Sequence, residues 1–189
     1  MGDVKCALGW VVAHAAEYQV DPARISIGGY SAGGHLAMLA AYSMGDPGLP
    51  PSCAVPPVAV RTMVNLYGPA DLTVFHDSSG SVDYVRDALK QYVGGTPREY
   101  AERYRLISPI SHVGARTPPT ITVLGQSDRI VPLAQAEMLS RALGQAGVAH
   151  ETYFLPASDH GFDVNWGGWG AQIARVKIAP FLKRHDPSR

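Results

Sequence analysis

The sequence predicts an α/β fold, a mostly parallel sheet flanked by helices, and three observations carry that reading. Short apolar runs of β-type composition alternate with helix-spaced runs along the chain. The β-type runs look apolar on both faces, as strands covered from two sides do. The residues with the most chemistry follow those runs, and open α/β sheets gather reactive groups beyond the carboxyl ends of their strands.

The elements come in order. Val4, Leu8, Val11, Val12 and Ala15 recur at helical spacing within 3–18, and "VDP" at 20–22 ends that helix. Residues 24–27 form a short strand candidate. Residues 32–42 read as a helix, stopped by Gly45, Asp46 and Pro47. The proline-rich "DPGLPPSCAVPP" is a surface loop, and the β-branched run 58–66 is a buried strand. "YGPADL" turns the chain. Helices are expected over 81–93, with Val82, Val85, Leu89 and Val93 on one stripe, and over 99–105. Residues 120–124 and 150–155 are strands, and 133–143 and 170–184 are helices.

Composition bounds the function. The 189 residues are most simply one domain, long enough to bury a core. Hydrophobic residues make up 46%, an ordinary globular share, and the formal net charge is zero, so no basic footprint for nucleic acid exists. No apolar run reaches the ~20 residues that cross a membrane, and the N-terminus carries no secretory pattern, so a cytoplasmic location is expected. Cys6 and Cys53 do not form a metal-like cluster; two buried free thiols are expected, with a disulfide as the alternative. No zinc, dithiol or phosphate-loop motif appears, so neither metal nor cofactor is expected.

The densest signal is "ISIGGYSAGGHLAMLA" at 25–40. Gly29-Tyr30-Ser31-Ala32-Gly33 matches G-x-S-x-G, the nucleophile elbow, between a strand and a helix as that motif requires. Small neighbours let a strained serine sit where strand and helix approach closely. The turn displays the Ser31 hydroxyl and leaves the Ala32 N–H at a helix N-terminus, where it can face developing negative charge. Asp128 follows the 120–124 strand in "LGQSDRIVP", and His160 follows the 150–155 strand in "LPASDHGF". An imidazole there can take a serine proton, and a carboxylate can hold its tautomer. Ser, Asp and His come in the chain order of α/β-hydrolases. Asp159 and Asp163 are rival acids, but they sit too near His160 in sequence to reach its far nitrogen easily.

On these residues the chain resembles the α/β-hydrolase superfamily, and within it the esterase/lipase group of hormone-sensitive-lipase-like and feruloyl- and acetyl-esterase-like enzymes. The matching stretches are "VDPARISIGGYSAGGHLA", "YGPADL", "YVGGTPREYAERYRLISPISHV", "PPTITVLGQSDRIVPLAQAEML" and "FLPASDHGF". The resemblance implies Ser31 as nucleophile, His160 as base, Asp128 as orienting acid and a small carboxylic ester as substrate. It also implies a truncated version of the fold, because only one helix precedes the serine strand and no H-G-G loop, source of oxyanion N–H groups, occurs.

Two expectations follow from that departure. The serine strand should be a sheet edge with apolar faces exposed, covered by a second copy of the chain in a homo-oligomer. Residues 70–112 should form a small lid, with Phe75, Tyr84 and Tyr92 lining an acyl or aromatic pocket or simply packing. Trp166 and Trp169 could wall the site or seat the last helix. Two other functions stay open: a catalytically weak remnant that binds a ligand or partner, and an amidase or peptidase.

Overall fold

The computed structural model describes residues 1–78 and 83–185. Helix α1 (Gly2–Ala13) precedes strand β1 (Ser26–Tyr30) and helix α2 (Ala32–Tyr42). Strand β2 (Thr62–Leu66) leads into α3 (Leu72–Asp77), α4 (Asp83–Val93) and α5 (Ala101–Leu106). Strand β3 (Thr120–Gly125), α6 (Leu133–Gln145), β4 (His150–Leu155) and α7 (Trp169–His185) complete the order.

The four strands form one sheet in the order β1-β2-β3-β4, every pair parallel. Each crossover between neighbours carries at least one helix, as parallel pairing demands. The apolar runs explain which strands are central. All six residues of β3 are buried, and Met63 of β2 has no exposure. One core packs Met38, Ala41, Met63, Leu139 and Leu143 between α2, β2 and α6. Another packs Ile121, Val123, Leu155, Ala174 and Phe181 between the sheet and α7.

Several expectations are corrected. The first helix ends at Ala13, and 14–19 turn without continuing it. The strand after the proline-rich loop starts at Thr62, because the chain before it, although apolar, pairs with no strand. Helix α3 shares only Leu72 with the turn "YGPADL" and runs on through residues where the sequence predicts no element; Asp71 caps it by accepting from the Thr73 and Val74 N–H groups. Helix α4 begins at Asp83, while Ser81 and Val82 of the expected helix lie outside the described residues.

Cys6 and Cys53 are not buried free thiols. They form a disulfide that ties α1 to the loop after α2, with Cys53 exposed. Strand β1 is an edge, paired only with β2 among the described residues. Its exposed residues, however, are Ser26, Gly28 and Tyr30, so the edge presents backbone more than apolar surface. The Ile25 carbonyl and the Ser31 N–H both bond toward β2, so alternation turns the peptide groups of Ser26, Gly28 and Tyr30 outward.

Candidate active site

The elbow is built by close approach. Ser31 caps α2 with φ 51° and ψ −126°, a left-handed conformation that a non-glycine residue holds only where its surroundings impose it. A Cβ on Gly29 would lie 2.4 Å from the backbone carbonyl of Gly33. One on Gly34 would lie 2.7 Å from Asn65 Oδ1. Gly33 is different: a Cβ there meets nothing within 4 Å. The tight contacts thus demand Gly29 and Gly34, while the third motif position has room. Tyr30 points outward, 64% exposed, with its ring 6.4 Å from that of Tyr67. Ala32 opens α2, so its N–H is among those with no partner inside the helix.

The turns after β3 and β4 bring the other two residues to the same place. His160 Nδ1 lies 2.9 Å from Asp128 Oδ2 and 3.1 Å from Oδ1. His160 Nε2 lies 2.9 Å from Ser31 Oγ. A carboxylate only accepts, so Nδ1 carries the proton and Nε2 accepts from the Ser31 hydroxyl. The Asp128 side chain has no exposure, and its Oδ1 also accepts from the Ile130 and Val131 N–H groups. Those bonds satisfy the buried charge and fix its orientation.

The rival acids have other partners. Asp159 accepts from the His160 backbone N–H at 2.7 Å and pairs with Arg129. The Arg129 side chain, then the His160 and Arg129 N–H groups, hold its carboxyl down at about 2. Asp163 accepts from the Tyr67 hydroxyl. The carboxyl end of β4 meets β3 closely as well, since a Cβ on Gly125 would lie 2.2 Å from the Ser158 carbonyl oxygen.

A cavity of about 450 Å³ opens beside Ser31 and His160. Its walls are almost wholly apolar, with Leu72 and Phe75 of α3 and Tyr84, Leu89 and Tyr92 of α4 among them. His35, one turn past Ser31, joins this wall to the elbow: its Nε2 donates to the Ile107 carbonyl at 2.8 Å, and burial holds its pKa down. Trp166 lies instead against α7, its ring 3.9 Å from the Arg175 guanidinium. Among the described residues no group of three or more His, Cys, Asp or Glu could hold a metal ion. No described helix is long and apolar enough to cross a membrane.

The BD-FAE family model matches residues 1–143. The chain belongs to that family. This BD-FAE member is 37% identical over 166 residues to Esterase LipQ of Mycobacterium tuberculosis, covering 86% of the chain and 38% of LipQ. It is 37% identical over 182 residues to Probable carboxylic ester hydrolase LipM of the same organism, covering 95% of the chain and 42% of LipM. The chain therefore spans about two-fifths of the length of these relatives. Among solved structures, a truncated form of a carbohydrate esterase from gut microbiota superposes with a TM-score of 0.80 at 26% identity, over 97% of this chain and 67% of that one. Thermogutta terrifontis esterase 2 phosphoramylated by tabun gives a TM-score of 0.77 at 26% identity, over 100% of this chain and 66% of that one. The family and these neighbours place the chain among α/β-hydrolases of the esterase/lipase type.

Proposed function

We propose that the protein is a serine hydrolase that cleaves small or short-chain carboxylic esters through an acyl-enzyme. His160 takes the Ser31 proton as Oγ attacks the ester carbonyl, then returns it to the leaving alcohol. Asp128 holds the imidazole in the tautomer that leaves Nε2 free. The Ala32 N–H donates to the developing oxyanion at the head of α2. Water, deprotonated by His160, then releases the acid and frees Ser31. The observation that carries this reading is the chain of hydrogen bonds from Asp128 through His160 to Ser31, set at the mouth of an apolar cavity. The similarity to Esterase LipQ and Probable carboxylic ester hydrolase LipM, and the tabun adduct of the Thermogutta esterase, support it.

A second reading is a weakly active protein that binds a ligand. No H-G-G occurs within residues 1–189, and one oxyanion donor is worth about 10²–10³ in rate, so the Ala32 N–H acting without a second donor from these residues favours it. Burst kinetics with p-nitrophenyl acetate separate the two. The esterase reading expects a burst that Ser31→Ala abolishes, and equal rates for both proteins would defeat it.

The outward peptide groups of β1 also support a homo-oligomer in which a second copy covers that edge. Light scattering at micromolar concentration tests this, and a monodisperse monomer would contradict it.

A further inference from the structure

Tyr67 lies just beyond the carboxyl end of β2, the strand between the elbow strand and the acid's strand. It is 2% exposed and holds φ 43°, a left-handed conformation unusual for so large a side chain. The surroundings impose that conformation. Its N–H donates to the Val123 carbonyl at 2.9 Å, and Asn65 bonds both the N–H and the carbonyl of Gly68. These bonds hold the backbone that carries the ring.

The ring stands edge-on to His160, with centroids 4.6 Å apart and planes at 63°. It meets Phe162 in the same way, at 5.1 Å and 77°. The hydroxyl donates to Asp163, three residues beyond His160. One side chain at the end of a central strand therefore touches the histidine loop at three points: the imidazole, the next aromatic ring and a carboxylate. His160 uses both ring nitrogens, toward Asp128 and Ser31, and the residues before it are tied to the turn after β3 by the Ser127 N–H to Ser158 carbonyl bond and the Asp159–Arg129 pair. The Tyr67 hydroxyl holds the residues after His160, through Asp163, from outside the hydrogen-bonded chain.

We propose that Tyr67 and Asp163 form a positioning clamp that holds the His160 loop, keeping Nε2 within reach of Ser31 Oγ. The proposal rests on the esterase reading for its kinetic consequence. Neither residue touches the reacting atoms. Burial and the neighbouring Asp163 carboxylate both push the phenol's pKa upward, so the hydroxyl keeps its proton and goes on donating.

The test compares Tyr67→Phe, Asp163→Ala, Asp163→Asn and the Tyr67→Phe/Asp163→Ala double variant in the full chain. Tyr67→Phe keeps the ring and deletes only the hydroxyl. It should lower kcat for p-nitrophenyl acetate about 10- to 100-fold, the scale of a small misplacement of a catalytic group, with KM and the unfolding midpoint little changed. Asp163→Ala should match it, the double variant should fall no further, and Asp163→Asn, which keeps an acceptor oxygen, should retain activity. A second readout does not need turnover: the His160 Nδ1–H proton resonance should broaden and exchange faster in Tyr67→Phe and Asp163→Ala. If the wild type and Ser31→Ala hydrolyse ester equally, the esterase reading fails, and the resonance alone decides the clamp. A Tyr67→Phe protein with wild-type kcat and an unchanged His160 resonance would overturn it, as would additive losses in the double variant.

Discussion

His160 Nε2 and Ser31 Oγ lie 2.9 Å apart although 129 residues separate them in the chain. The sheet makes that distance short. Parallel register places the ends of β1, β3 and β4 along one edge, and each residue of the hydrogen-bonded chain sits in the turn that follows one of those strands.

Asp128→Asn should leave the fold intact and remove the acceptor pair that fixes the His160 tautomer. A fall in kcat of about 10⁴-fold is expected, the cost of the wrong tautomer in a serine protease triad. Steady-state hydrolysis of p-nitrophenyl acetate, beside a circular dichroism spectrum matching the wild type, checks this.

The elbow glycines should respond oppositely to alanine. Gly29→Ala places a methyl 2.4 Å from backbone that cannot yield, and should cost about 3 kcal/mol or more. Gly33→Ala meets open space inside a helix and should gain about 0.5–1 kcal/mol. Urea titrations of both variants measure the two signs directly.

Reducing the Cys6–Cys53 bridge should lower stability by about 2–4 kcal/mol, because it closes a long loop in the unfolded chain. Urea midpoints with and without dithiothreitol, and for Cys6→Ala/Cys53→Ala, measure it. Structural disulfides persist in oxidising compartments, which runs against the cytoplasmic location the sequence suggests. Unchanged midpoints would remove that argument.

Acid should weaken the Asp159 contact. Its folded pKa, about 2, lies below the ordinary ~3.9 of an aspartate. The folded state therefore binds fewer protons between those values, so this stabilisation is present above the ordinary value and is lost as pH falls through the folded one. The side chain is 36% exposed, so screening keeps the effect small. Unfolding midpoints from about pH 5 to about pH 2 should drop less in Asp159→Asn than in the wild type.

Much of this was legible from local pattern. Apolar runs mark β2, β3 and β4, and each of Ser31, Asp128 and His160 stands just after a strand, which is a feature of sequence order. What local pattern cannot carry is long-range pairing. The Tyr67–Asp163 contact joins residues 96 apart, and "YGPADL" signals only a turn. The Cys6–Cys53 pair likewise depends on where α1 docks, and His35 meets Ile107 across 72 positions. Gly34, not Gly33, makes the close approach because the constraint comes from Asn65 on the neighbouring strand. Those residues support the hydrogen-bonded chain, and their roles exist only once the sheet has formed.

The most direct measurement is covalent labelling with a fluorophosphonate followed by peptide mass mapping. An activated serine reacts even when turnover is slow. The account predicts one adduct, on Ser31, formed by the wild type and lost in His160→Ala. No adduct, or an adduct on another residue, would contradict it.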